Sequence, residues 1–187
     1  MTRALAFAGV VLAALAVPAC KPPPTDAATA RAATLADVGG PSAPLPSPLT
    51  KGAIWAQSAT PLRLVYGIPG QPVLLAIECL DPQAADAQLR ITRHAPADPG
   101  AGALLALIGN GRIGRFPVTA TPHGDKLFWQ GDVPALAPGW DAFKGEREAT
   151  VTVPGAGLMR LNPSPLPLAL VEACRGSVRR DQPADQG

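Results

Sequence analysis

Aromatic side chains, charge and cysteine are all scarce in this 187-residue sequence. Eight aromatic residues, 4% of the chain, leave few large core anchors. Sixteen Lys and Arg against fourteen Asp and Glu give a net charge of +2, with no Lys/Arg block. That excludes the basic footprint of a nucleic-acid binder. Only two histidines occur, His94 and His123, and neither sits in a metal-ligand spacing such as H-E-x-x-H. Asp98 and Asp125 lie near them in sequence, but solvated loop positions beside Gly/Pro-rich turns are the expected state. Serine is rare in the central region, where Ser58 and Ser164 stand without a G-x-S-x-G elbow or an S-x-x-K pair. Glu146 and Glu148 flank Arg147 and read as a solvated strand edge. The sequence therefore offers no nucleophile–base pair and no metal set, and the expectation is a non-enzyme without a cofactor.

One G-x-G-x-x-G is present, Gly109-Asn110-Gly111-Arg112-Ile113-Gly114. A dinucleotide turn needs a helix to start within the glycines. Here Pro117, Pro122 and three β-branched residues follow instead, and Pro122 would break that helix. Asn110-Gly111 fits the centre of a type I′ hairpin, where both residues take positive φ. Ile108 then faces Ile113 and Leu104 faces Pro117. Leu105, Leu107, Phe116 and Val118 share one sheet face, and Ala106, Ile108, Ile113 and Arg115 the other. Gly114 marks a bulge or a close approach of another segment. Pro117 can be accommodated toward this partner but not in a ladder on its other side, so 112–120 is expected to be an edge strand or to break at Pro117.

The long apolar run that does occur is N-terminal. Arg3 precedes "ALAFAGVVLAALAV", which is too short to span a bilayer and ends in "VPAC". That order is a secretory signal. "VPAC" resembles the lipobox of bacterial lipoproteins, which implies cleavage after residue 19, diacylglycerol on Cys20 and an acylated amine. Ordinary cleavage after Ala19 is the competing reading. By the same resemblance, the absence of Asp after Cys20 implies outer-membrane delivery, with the protein facing the periplasm. Lipidation of Cys20 would leave Cys79 and Cys174, and an oxidising compartment favours a disulfide between them.

Proline and glycine supply 42 residues (23 + 19) and set the organisation. Residues 20–50 are rich in Pro, Ala and Gly with no aromatics, and are expected to form a disordered tether. Residues 51–176 form one domain. Short apolar runs at 53–57, 62–66, 72–80, 88–94, 104–108, 112–120, 126–130, 148–153 and 158–161 alternate with turn signals. They predict a mainly β fold, a single antiparallel sandwich or partly open barrel. One short helix closes it, capped by Ser164, started at Pro165 and stopped by Gly176. Leu166, Leu170 and Cys174 share its buried face, as Val73, Leu75, Ile77 and Cys79 share a strand face. Residues 177–187 are expected to be a disordered tail. Trp55, Trp129, Trp140 and Tyr66 read as core anchors before a sugar-stacking platform. Arg90, Arg93, Arg112 and Arg115 read as a solvated face before an anion patch.

From about Ile54 to Arg175, "YGIPGQPVLLAIEC", "GNGRIGRFPV" and "LVEACR" resemble segments of small exported proteins of high-GC proteobacteria. That resemblance implies export and a β domain, but no activity. The functional expectation is a lipid-anchored, non-catalytic binding or assembly module of the cell envelope. Its partner would be the membrane through its lipid and an envelope protein, peptide or glycan. The alternatives are a periplasmic inhibitor of an envelope-degrading enzyme, using the loops "ATPHGDK" and "RHAPADPG", and a hydrolase with an unrecognised site.

Overall fold

The computed structural model describes residues 43–181 except Gln83 and Glu146, with side chains placed as far as Gly176. Cys20, the signal segment 1–19 and most of the tether lie outside the described residues. Nine antiparallel strands form a single sheet: β1 Ile54–Gln57, β2 Arg63–Gly67, β3 Leu75–Leu80, β4 Gln88–Pro96, β5 Gly102–Gly109, β6 Arg112–His123, β7 Lys126–Pro134, β8 Ala149–Thr152 and β9 Leu158–Leu161. Helix α1, Leu166–Asp181, follows. The nine strands fall on the nine apolar runs of the sequence. The sheet order is β1-β2-β3-β4-β7-β6-β5-β8-β9. Strands β4 to β7 make a Greek key, because β7 returns to lie beside β4.

The sheet curls into a half-barrel, so the partly open barrel is the architecture found. Its two edge strands do not pair through a backbone ladder. Side chains draw those regions together instead. The fully buried Tyr66 of β2 donates its hydroxyl to Arg160 O of β9 at 3.1 Å and accepts from Asn162 N at 3.0 Å. Asn162 Nδ2 donates to Ala53 O and Thr50 O. Each of these is a long-range bond in a mostly apolar setting, where an unmade partner would cost more than the bond returns.

The Asn110-Gly111 turn is as expected: φ is 48° and 68°, and Ile108 faces Ile113 while Leu104 faces Pro117. Leu105, Leu107, Phe116 and Val118 are buried. Gly114 marks a close approach, since an added Cβ would press on Gly139 O and the Phe116 ring. Pro117 has the expected effect. The β6–β7 ladder runs from His123↔Lys126 to Thr119↔Gln130 and goes no further. Strand β6 is therefore central at one end and unpaired on that side at the other. Gly131 sits where the strands part, and the carbonyl of Pro117 fills the space a Cβ would need. A 3₁₀ helix, Pro138–Phe143, covers the unpaired half of β6 and stacks Trp140 on Phe116 at 4.3 Å.

Helix α1 begins as expected, with Ser164 Oγ accepting from Leu166 N at 3.2 Å. It does not stop at Gly176. That residue lacks the positive φ of a helix-ending glycine, and the helix continues to Asp181. An interior glycine costs about 1 kcal/mol against alanine and does not by itself end a helix. Residues 182–187 of the expected tail lie outside the described residues. A disulfide joins Cys79 of β3 to Cys174 of α1, with Cα atoms 5.8 Å apart. Leu75 and Ile77 share its buried strand face, whereas Val73 precedes β3 and is half-buried. The disulfide and α1 lie across one end of the half-barrel.

The ordered chain also starts earlier than the composition suggests. Residues 43–50, expected within the tether, run along the β8–β9 loop. Leu45 N donates to Gly155 O, and Leu158 N donates to Ser47 Oγ. One backbone pairing and one bond to the Ser47 hydroxyl, neither of which depends on an apolar side-chain pattern, hold this Pro-rich stretch in place.

Candidate functional site

The inner surface of the curl carries one row of directly opposed residues: Trp55, Tyr66, Leu75, Arg93, Trp129 and Ala120. Arg93 is out of character in this row. It follows Leu89 and Ile91 on the inward side of β4 and is only 4% exposed. Its Nη1 donates to Leu74 O at 3.0 Å and its Nη2 to Ala156 O at 3.4 Å. Among the described residues, its Nε has no acceptor and no carboxylate pairs with it. Burial pushes its pKa down to about 10. A buried guanidinium without a counter-charge is costly to maintain.

The other buried arginine shows what full pairing looks like. Arg175 of α1 gives Nε to Ala135 O, Nη2 to Ala137 O, and Nη1 to both Asp141 and Glu172. Burial raises the Asp141 carboxyl, but hydrogen bonds from Lys144 and Arg175 outweigh it and hold the group below its ordinary range. Arg175 thus pins α1 to the 3₁₀ helix. Arg93 has two carbonyl partners and, among the described residues, no carboxylate.

Directly across the ladder from Arg93 stands Trp129, 7% exposed. Its indole Nε1 is also buried and, among the described residues, without an acceptor. Trp140, by contrast, donates Nε1 to Pro134 O at 3.1 Å. Trp129 forms part of the wall of a cleft of about 580 Å³ at the end of the half-barrel opposite α1. Residues 43–45, the β4–β5 loop and the β8–β9 loop complete it. Pro44, Leu45, Pro96, Ala101 and Pro154 make the walls mainly apolar, and Asp98 is the charged lining residue. Asp98 has interactions of its own. Arg93 is not among the residues that line this cleft; Trp129, opposite it in the ladder, is, and Ala156, which accepts from it, follows the lining residue Gly155. The size lies within the usual range for small-molecule sites.

The other sequence candidates separate. Trp55, Trp140 and Tyr66 are core anchors, with Trp55 stacked on Tyr66 at 5.0 Å. Trp129 is both core and cleft wall. The four arginines form neither a patch nor a solvated face. Arg90 is held by both oxygens of Asp132 at 2.7 Å, Arg112 and Arg115 are exposed, and Arg93 points to the opposite side of the sheet. Glu148 pairs with Arg160 on the surface, as a solvated edge should. His94 and His123 lie on strands β4 and β6 rather than in loops. Their ring centroids are 6.2 Å apart, and both rings pack on Phe128. His123 Nε2 meets Gln130 Oε1 at 2.9 Å, while His94 Nε2 is buried with no partner. Burial, then the neighbouring His123, Arg63 and Arg93, push the His94 pKa down to about 4. Among the described residues, no three His, Cys, Asp or Glu side chains gather as a metal site.

Arg93 was within reach of sequence reasoning as an inward residue. In "QLRITRHA", alternation places Leu89, Ile91, Arg93 and Ala95 on one face, so a charge interrupts an apolar series. Compared with protein-family models, with curated proteins and with solved structures, the chain matches none.

Proposed function

We propose that this protein is a non-catalytic binding module of the bacterial cell envelope, tethered through a lipid on Cys20 and facing the periplasm. The observation that carries the binding role is the cleft opposite α1, with Trp129 in its mainly apolar wall. Its volume and mainly apolar walls match the usual composition of a small-molecule site. The Cys79–Cys174 bond supports an oxidising compartment.

The test uses the full chain in its native envelope. A photo-crosslinking side chain at Ala101, in the cleft wall, is expected to capture a component that the same group at exposed Ile113 does not. Equal capture at both positions, or none at Ala101, refutes the binding reading. Cys20→Ala is expected to abolish fatty-acid incorporation, and normal incorporation in that variant refutes the anchor.

A further inference from the structure

The outer surface of the sheet changes character along its width. Across β2, β3, β4 and β7 one row reads Arg63, Glu78, Arg90 and Asp132, each opposite the next, with an ion pair at either end. Alternating charge of this kind suits the solvent side of an antiparallel sheet. Across β6, β5, β8 and β9 the rows differ. One reads Ile113, Ile108, Thr150 and Arg160, the next Arg115, Ala106, Thr152 and Leu158, and Pro117 then faces Leu104. Ile113 is 51% exposed, Ile108 40%, Leu104 54% and Leu158 41%. A single exposed aliphatic residue is ordinary, but neighbours gathered on one face mark an interaction surface. None of these residues lines the cleft.

Beyond the cleft and the anchor, we infer that this outer face of β5, β6, β8 and β9 docks on an anionic lipid surface. Charge is the first reason. Arg115 lies on the face, and Arg112 and Arg147 are exposed beside the hairpin turn, where Gly145 approaches Asn110 and Ala149 approaches Gly109. Among the described residues, none of these three arginines has a carboxylate within ion-pair reach. The described carboxylates of this end are already engaged, Glu148 by Arg160 and Asp141 by Lys144 and Arg175. Counted by sequence, the β5–β6 hairpin, segment 145–149 and β9 together hold four arginines against two glutamates. Aliphatic groups rimmed by arginine suit a bilayer interface, where the apolar groups enter the acyl boundary and the guanidinium groups meet phosphate. Shape is the second reason. The face is the convex side of the curl, and its large side chains are aliphatic. Protein partners are held mainly by aromatic anchors seated in pockets, and this face offers neither. A lipid surface deforms around a convex face and needs no matching shape. A second copy, docked face to face, would bring the same unpaired arginines together.

The experiment adds one tryptophan to the full chain, Ile113→Trp on this face or Ile54→Trp on the outer side of β1. Ile54 is 53% exposed, so the two positions match in side chain and exposure. The native tryptophans are buried and give both variants the same background. Each variant is reconstituted in vesicles of phosphatidylcholine, or of phosphatidylcholine mixed with phosphatidylglycerol. Bromine near the glycerol end of the acyl chains quenches any indole that enters the interface. With phosphatidylglycerol present, the emission added at position 113 is expected to fall about twofold, while that at position 54 is unchanged. Phosphatidylcholine alone should leave both bright. Arg112→Gln with Arg115→Gln should remove most of the quenching at 113, and so should high salt, which screens attraction to a charged surface. Arg112→Lys with Arg115→Lys keeps the charge and should keep the quenching, which separates loss of charge from loss of structure.

Equal quenching at 113 and 54 overturns this inference, because attachment through the N-terminus alone holds the domain near the surface without selecting a face. Absence of quenching at 113 with phosphatidylglycerol overturns it as well, as does undiminished quenching in the double glutamine variant. A photo-crosslinking side chain at Ile113 in the native envelope should yield phospholipid adducts. A protein adduct there, a second copy included, would assign the face to a protein instead. None of these results bears on the separate component expected at Ala101, so the docking face and the cleft fail independently.

Discussion

Removing the Cys79–Cys174 bond is expected to cost this domain a large share of its stability. The two cysteines are 95 positions apart. In the chain-entropy model, a cross-link closing a loop of that length removes about 16 cal/mol/K from the unfolded chain, or about 4.7 kcal/mol at 25 °C. Typical domains have only about 5–15 kcal/mol in total. The substitution should be Cys79→Ala with Cys174→Ala, because both positions are buried and serine would add an unsatisfied hydroxyl. Equilibrium urea denaturation followed by tryptophan fluorescence reads the change, since Trp55, Trp129 and Trp140 are all buried. A steeper denaturant slope should accompany the loss, because the unlinked chain expands further when it unfolds. Helix α1 should remain docked in the folded variant, held by Arg175 and its carbonyl and carboxylate partners. In the unmutated protein, alkylation after unfolding without reductant should leave both thiols unmodified. A loss below about 1 kcal/mol in the double variant would refute the reasoning, as it would show that the unfolded chain gains little freedom from the opened loop.

Gly131→Ala is expected to destabilise the fold by about 2–3 kcal/mol, because its methyl group has to displace the Pro117 carbonyl; thermal melting checks this. Tyr66→Phe removes a donor to Arg160 O and an acceptor for Asn162 N, and should cost about 1–3 kcal/mol with faster amide exchange in β9. The imidazole of His94 is held neutral by burial, its pKa down at about 4, while the unfolded chain takes up that proton near 6.5. Its contribution to stability is therefore complete above about pH 6.5 and is lost as the pH falls toward 4, by roughly 3 kcal/mol. Denaturation midpoints measured across that window should show the slope, and His94→Gln should flatten it.

The strands were legible because their signals are local. Alternation over four to eight residues and turn pairs such as Asn110-Gly111 depend on neighbours in sequence, and they fixed even the register of the β5–β6 hairpin. Pro117 was informative for the same reason, since a missing N–H constrains both of its sides wherever the strand lies. Strand order was not legible. The jump from β4 to β5, with β7 returning between them, depends on which edges meet after folding. The closure of the curl by Tyr66 and Asn162 joins residues 96 positions apart. The 3₁₀ helix escaped because "APGWDAFKG" carries turn chemistry, and its structure follows from burying Trp140 and Phe143 against β6 and Trp55. The extension of α1 past Gly176 shows the limit of a single-residue stop signal when no positive φ is required.

The cleft was less legible than the fold for a different physical reason. A turn or a strand is specified by residues close in sequence, but a cavity is what several segments leave unfilled. This one needs residues 43–45, the loop after β4 and the loop after β8, and their backbone contacts carry no side-chain pattern. What the sequence did hold was a conflict: a charged side chain on the inward face of β4. Such conflicts lower stability unless something resolves them. Arg175 shows resolution from within the chain, by carbonyls and two carboxylates. Arg93 has two carbonyls, an idle Nε and an idle indole opposite. His94 Nε2 and Trp129 Nε1 are also buried without a partner among the described residues, so at each of these positions either the fold bears the cost or a bound group relieves it. The substitution Arg93→Met separates these explanations, because a purely structural arginine should affect melting without changing capture from Ala101.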